Sequence, residues 1–545
     1  MVQQGSRPAE AVLLGARVFT GDPARPWAES VAITDGRISA VGGDADVAGH
    51  IGPRTDVVEL EGQLVCAGMI DAHIHAIKGG AERLQCNLLG LHDRESYREA
   101  IRRYCAEHAE LEWVTGGGWS MDAFPGGVPT AADLDDVAEG RPVLLYSRDH
   151  HTAWVSSRAL ELAGITRQTP DPWGGRIERD AHGVPVGALQ ERAMNLVADL
   201  LPAPSDEERD AALLEAQRYL HSVGITGWQD AKVLARPDDA ATYLRAAERG
   251  DLVSHVVGAQ WWDPADGMAQ LERVLEVRRR GNDVVRLDAV KLMLDGVCEN
   301  RTAALLDPYC GEEHDRGVSF YEKAELEELV VRLDAEGLLV HFHAIGDAAV
   351  RSALDAVAAA RRRNPGSRLP HHVAHVQVVH PADVPRFAEL GVVANAQPLW
   401  ARNEPQMTQL TIPVLGPDRS RHQYPFGRIH RAGGMLALGS DWPVSTPDPT
   451  AIMHVAVTRL PVPRPGAEAP EVFLPDDRLG LADVLTAYTA GSALVNGTSD
   501  TRGRVAVGYR ADLVTFDRDL FEDPERVWQA KVQETRVDGK VVYSA

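Results

Sequence analysis

Between residues 65 and 441 of this 545-residue chain, apolar segments of strand length alternate with helical stretches such as "SDEERDAALLEAQRYLHSVG", "KAELEELVVRLDAEG" and "GDAAVRSALDAVAAARRR". This βαβ rhythm implies a parallel sheet, because neighbouring parallel strands need a long crossover and a helix is the usual one. Candidate strands are 65–75, 143–149, 225–230, 253–261, 286–294, 338–344, 371–377, 392–397 and 435–441. That is one more than a (β/α)8 barrel requires. The stretch from about 80 to 190 is too long for a βα loop and carries the Gly/Pro-rich runs "GGGWSMDAFPGGVP" and "PDPWGGRIERDAHGVPVG". The strand at 143–149 is therefore assigned to an insertion over the mouth of an α/β, TIM-like (β/α)8 barrel.

The two ends of the chain read differently. Residues 10–65 alternate apolar and polar over short runs, with "TDGR" as a hairpin turn, and the tail repeats the style in "GRVAVGYRADLVTFDRDL" and "VQETRVDGKVVYSA". The expected organisation is a small discontinuous β-sandwich domain from residues 1–66 and 497–545 around a barrel domain of 67–496. With 56 basic against 79 acidic residues the net charge is −23, so nucleic acid and anionic membrane surfaces are excluded as partners. Five scattered cysteines without a CxxC pair fit a reducing compartment, the first residues carry no secretory pattern, and no apolar run reaches membrane-spanning length. A cytoplasmic location is expected, and a homodimer is the expected assembly.

In a parallel barrel the chemistry gathers at the carboxyl ends of the strands, and metal-ligand residue types recur there. "VCAGMIDAHIHAIKGG" ends the first strand with His73 and His75, two apart and hence on one face. Later strands end in Lys291 ("LDAVKLMLDG"), His343 ("LLVHFHAIGD"), His375 ("HHVAHVQ") and Asp441 ("LALGSDWPV"). Four imidazoles and a carboxylate suit a zinc-type ion or a pair of them. A lysine among them is explained if burial lowers its pKa and the neutral amine takes up carbon dioxide, becoming an anionic carbamate bridge. The alternative, Lys291 ion-paired to Asp288 or Asp295, leaves a one-metal site.

HxH after the first barrel strand, Lys on the fourth, His on the fifth and sixth and Asp on the eighth resemble the amidohydrolase superfamily. More narrowly, "CAGMIDAHIH", "HAIGDAA", "GSDWPV" and "GYRADLVTFDRD" resemble amidohydrolase family 3, and "KLMLDGVCENRTAAL" is similar to its N-substituted formamide deformylase branch. The resemblance implies two divalent ions, zinc by expectation, held by His73, His75, carboxylated Lys291, His343, His375 and Asp441, with Asp441 also moving protons. It implies a hydrolase of non-peptide carbon–nitrogen bonds acting on a small-molecule amide through a metal-activated hydroxide. A mononuclear deaminase or cyclic amidase of the same superfamily and a non-catalytic metal-binding protein are the alternatives. The segments "GGGWSMDAFPGG" and "YSRDHHTAW" resemble the family's lid, which makes Trp119, Asp122 and His151 candidates for shaping the substrate pocket. His341, His371 and His372 are read as interior or supporting residues, and Asp71 as orienting a ligand histidine.

Overall fold

In the computed structural model, which describes residues 8–235, 238–463 and 470–545, eight parallel strands form one sheet in sequence order. They are β1 (Met69–Ile74), β2 (Ile225–Val233), β3 (His255–Trp261), β4 (Val285–Met293), β5 (Leu339–Ala344), β6 (His372–His375), β7 (Val393–Ala396) and β8 (Leu436–Leu438). The expected α/β barrel is therefore present. Its seam lies between β1 and the segment after β8, where the Asp441 amide donates to the His73 carbonyl at 2.7 Å. Gly439 makes that approach possible, since a Cβ there would sit 2.6 Å from the His73 nitrogen.

The interior is layered. Val257, Ala259, Ala289 and Leu339 pack as an apolar floor. Above it, register pairs Lys291 with His341 and, one layer higher, Met293 with His343. Outer helices supply the other half of the core. Asp347–Arg363, for example, buries Val350, Ala353, Leu354, Val357 and Ala360 at helical spacing, and each larger side chain so buried contributes about 1.5–3 kcal/mol.

The expected strand 65–75 is two strands. Leu64–Ala67 pairs with Leu513–Phe516 and Arg17–Phe19 in a six-stranded sheet, while β1 starts after Gly68, whose amide turns to the Asp512 carbonyl at 2.7 Å. A four-stranded sheet packs against it through Leu13, Val31 and Ile33 facing Val18, Val65 and Leu513. Both termini thus build one β-sandwich, of which residues 1–7 lie outside the described residues. The "TDGR" and "VDGK" turns have both central residues left-handed, with φ of 50° and 71° at Asp35 and Gly36 and 47° and 77° at Asp538 and Gly539. That is the geometry a two-residue hairpin needs.

The chain divides into two compact units. One holds the chain through His75, then Gln217–Asp441 and Pro447–Ala545; the other holds Ala76–Ala216 with Trp442–Thr446. The second unit extends past the expected insertion at both ends. Its six-stranded sheet includes Val143–Ser147 between Val114–Trp119 and Thr152–Val155, so the surplus strand does belong to it. Tyr97, Trp119, Phe124, Val143, Leu145 and Trp154 form one of its cores.

Candidate metal centre

Six side chains predicted from five separate chain segments, His73 and His75 sharing the first, arrive together at the carboxyl end of the barrel. The Nε2 atoms of His75 and His73 lie 3.1 and 3.4 Å from Asp441 Oδ1. The His73 and His375 rings are 4.8 Å apart and those of His343 and His375 4.4 Å apart. Ligand atoms of His73, His375 and Asp441 all fall within 4.8 Å of one another. Lys291 is buried beneath them, and its charge acts on His73, His375 and Asp441 in turn.

Two of these residues have uncommon backbones. His375 and Asp441 take φ of 76° and 56°, in the left-handed region, where non-glycine residues carry strain of about 1–3 kcal/mol that surrounding structure must hold. His372 and Ala374 share the inward face with their register partners His341 and His343, so simple alternation sends His375 outward. The left-handed turn brings it back. Gln397 holds it there: its Oε1 accepts the His375 backbone amide at 2.8 Å and lies 3.1 Å from Nδ1. A backbone amide can only donate, so the oxygen end of Gln397 faces His375, Nδ1 carries the proton, and Nε2 keeps its lone pair for the site. The Trp400 ring stacks on His375 at 5.3 Å.

The electrostatics suit a cation. Burial, helped by Lys291, pushes His73 down to about 3, and burial with neighbouring His343 drives His375 well below the usual imidazole range, so both rings are neutral and have a lone pair to offer a cation. Burial lifts Asp441, but His73 and His75 outweigh it and hold the carboxyl well below its ordinary range. Burial pushes Lys291 down to about 7. Asp441 Oδ1 is buried yet accepts no hydrogen bond of acceptable geometry among the described residues. Ligands about 2.0–2.1 Å from a tetrahedral ion stand roughly 3.3 Å apart, which the 3.1 and 3.4 Å separations match. The residues present therefore fit a divalent ion.

The supporting residues differ in part from expectation. Asp71 orients backbone, not a ring: its carboxylate accepts the amides of His73 at 3.1 Å and Ser440 at 3.0 Å, across the seam. Neither proposed partner of Lys291 is available to pair with it. Asp288 binds Arg286, and Asp295 accepts the amides of Ala304, Ile345 and Gly346 at 2.8–3.0 Å. His371 bonds Asp334 at 2.8 Å and the Val340 amide, a structural role. His372 lies against His341, ring centroids 4.1 Å apart.

Trp119 does not line a pocket. It is fully buried in the core of the second unit, with its indole N–H on the Leu145 carbonyl at 2.9 Å and its ring packed edge-on against Phe124 and Trp154 at 5.5 and 6.0 Å. Asp122 is exposed and takes the Ser120 hydroxyl; His151 is half-buried and pairs with Glu191 at 2.8 Å. Gln397, Gln229 and Trp400 went unnoticed in the sequence. Asn395 and Gln397, two polar residues at strand spacing in an otherwise apolar segment, were the available signal.

Residues 56–543 match the model of the amidohydrolase family. The chain is 29% identical to an N-substituted formamide deformylase of Arthrobacter pascens over 552 residues, covering 98% of each protein. It is 28% identical over 549 residues to the putative amidohydrolase YtcJ of Bacillus subtilis, covering 98% of this chain and 99% of that one. A metal-dependent hydrolase from Pyrococcus horikoshii shares the fold, with TM-score 0.73 at 23% identity over 94% of this chain and 98% of that one. A match spanning nearly every residue, over a barrel whose strand ends gather four imidazoles, a lysine and a carboxylate, makes this chain a member of the amidohydrolase family, a metal-dependent hydrolase of carbon–nitrogen bonds.

Proposed function

We propose that this enzyme hydrolyses a small non-peptide amide, an N-substituted formamide or a close analogue. In this reading His73, His75, His343, His375, Asp441 and, once carboxylated, Lys291 would hold two zinc-type ions. The observation that carries it is the convergence of these six buried or half-buried side chains at one strand-end site. Similarity to the formamide deformylase over 98% of both chains supports the substrate class. The unpaired state of all five cysteines supports a cytoplasmic setting, and no helix among the described residues is long and apolar enough to cross a membrane.

Divalent ions bound here would lower the pKa of a coordinated water toward 7 and polarise the amide carbonyl. The protein's own groups do the rest. Asp441, ionised at neutral pH, takes the proton of the attacking water on its carboxylate and returns it to the leaving amine nitrogen, acting as base and then acid. Lys291, with a substantial neutral fraction near pH 7, can add carbon dioxide: the neutral amine nitrogen forms an N–C bond, one C=O π pair moves to oxygen, one N–H proton leaves, and a carbamate anion replaces the neutral amine. Gln397 keeps His375 in its ligand orientation.

Zinc-loaded protein assayed against formamides, N-acyl amino acids, cyclic amides and carbamates tests the substrate class, with metal counted per chain. Formamide turnover at two ions per chain is expected. Turnover that persists in protein free of transition metal ends the reading. The compact trio of His73, His375 and Asp441 favours a second reading, a one-ion deaminase; one ion per chain with ammonia released from an aminated ring would select it.

A further inference from the structure

His341, the first histidine of "HFH", is fully buried and lies between His73 and Gln229. Its Nε2 is 2.8 Å from His73 Nδ1 and its Nδ1 is 2.6 Å from Gln229 Oε1. Gln229 Nε2 reaches the Val495 carbonyl at 3.3 Å and Asn496 Oδ1 at 3.1 Å. All four side chains in this line, His73, His341, Gln229 and Asn496, are buried.

With both imidazoles neutral, as deep burial favours, the line has one consistent proton arrangement. A backbone carbonyl can only accept, so the Val495 carbonyl fixes the nitrogen end of the Gln229 amide toward itself and the oxygen end toward His341. An amide oxygen can only accept, so His341 Nδ1 carries the proton. Its Nε2 is then a lone pair, and His73 must present Nδ1–H to it. His73 Nε2 is left as a lone pair directed at Asp441 Oδ1, 3.4 Å away. Two acceptors facing each other in a buried site repel unless a cation lies between them.

We propose that His341, Gln229 and Asn496 form a positioning relay that holds His73 in its Nδ1–H form, so that its Nε2 is aimed at the metal position. His341 is thus a positioning residue and not a ligand. The relay rests on the metal-centre reading above, and it also gives the loop leading from the barrel into the C-terminal part of the β-sandwich a role in the site. Arg286 pins that loop by donating to the carbonyls of Asn496 and Gly497 at 3.1 and 2.7 Å.

The test is cobalt(II) binding to purified full-length protein, by competition with a coloured chelator and by the visible ligand-field spectrum, neither of which needs a substrate. His341→Leu, which offers His73 no acceptor, is expected to weaken cobalt affinity about 10–100-fold, the range for losing such an outer partner. His341→Gln, which restores an acceptor oxygen, is expected to recover most of it with a near wild-type spectrum. Gln229→Leu, which leaves His341 free to take either tautomer, is expected to weaken binding by a smaller factor. Equal loss in His341→Gln and His341→Leu, or wild-type affinity in Gln229→Leu, overturns the relay. Should His341→Leu fail to fold, Gln229→Leu and His341→Gln still decide. Failure of wild-type protein to bind cobalt would instead count against the metal centre itself.

Discussion

At the scale of single residues, the site turns on Asp441. It lies three residues beyond the end of β8, in a left-handed backbone conformation, with two imidazoles near one oxygen. Removing its charge while keeping its shape isolates the proton-transfer role. Asp441→Asn is expected to lower kcat by about 10²–10⁴-fold, while metal content, measured by elemental analysis, stays near wild type because the histidines remain. Unchanged kcat in that variant would remove Asp441 from proton transfer. The residue type and position were legible in "GSDWPV", since a carboxylate ending an apolar strand is costly without a partner. Its left-handed conformation was not, nor was that of His375, because nothing local to "VAHVQ" encodes a departure from strand alternation.

At the scale of elements, the barrel depends on how its first and last strands meet. No ladder joins β1 to β8; the Asp71 carboxylate, accepting from the His73 and Ser440 amides, bridges the gap together with the Asp441-to-His73 bond. Burial pushes Asp71 up to about 7 despite those donors. Asp71→Leu strands two buried amides, at about 1–3 kcal/mol each, and is expected to lower Tm in a thermal melt; Asp71→Asn keeps an acceptor oxygen and is expected to cost less. Equal melting of both variants and wild type would show that the seam does not need this carboxylate. Strand positions were readable to within a few residues from apolar runs and their flanking turns. The break at Gly68 was not, because one continuous apolar run serves two sheets whose partners, Leu513–Phe516 and β2, come from distant parts of the chain.

At the scale of the whole molecule, a cation held as proposed, by residues of four of the eight strands and the segment beyond the last, should stabilise the folded state by mass action. A free ion at 1,000 times its Kd contributes about 4 kcal/mol. Exhaustive chelation is therefore expected to lower Tm and abolish turnover, with both restored by zinc; a Tm indifferent to metal would mean the ion is not part of the folded unit. The sequence alone determined the barrel, the β-sandwich shared by the two termini and the set of ligand-type residues. Periodicity, turn chemistry and the cost of burying charge act locally and leave their mark in the order of residues. Only the tertiary structure decided what each supporting histidine is bonded to, that Trp119 is core, and that Asp71 ties strands together. Those outcomes depend on hydrogen-bond partners as remote as Gln229 and Asn496, and on proton placement that only a closed set of donors and acceptors can settle.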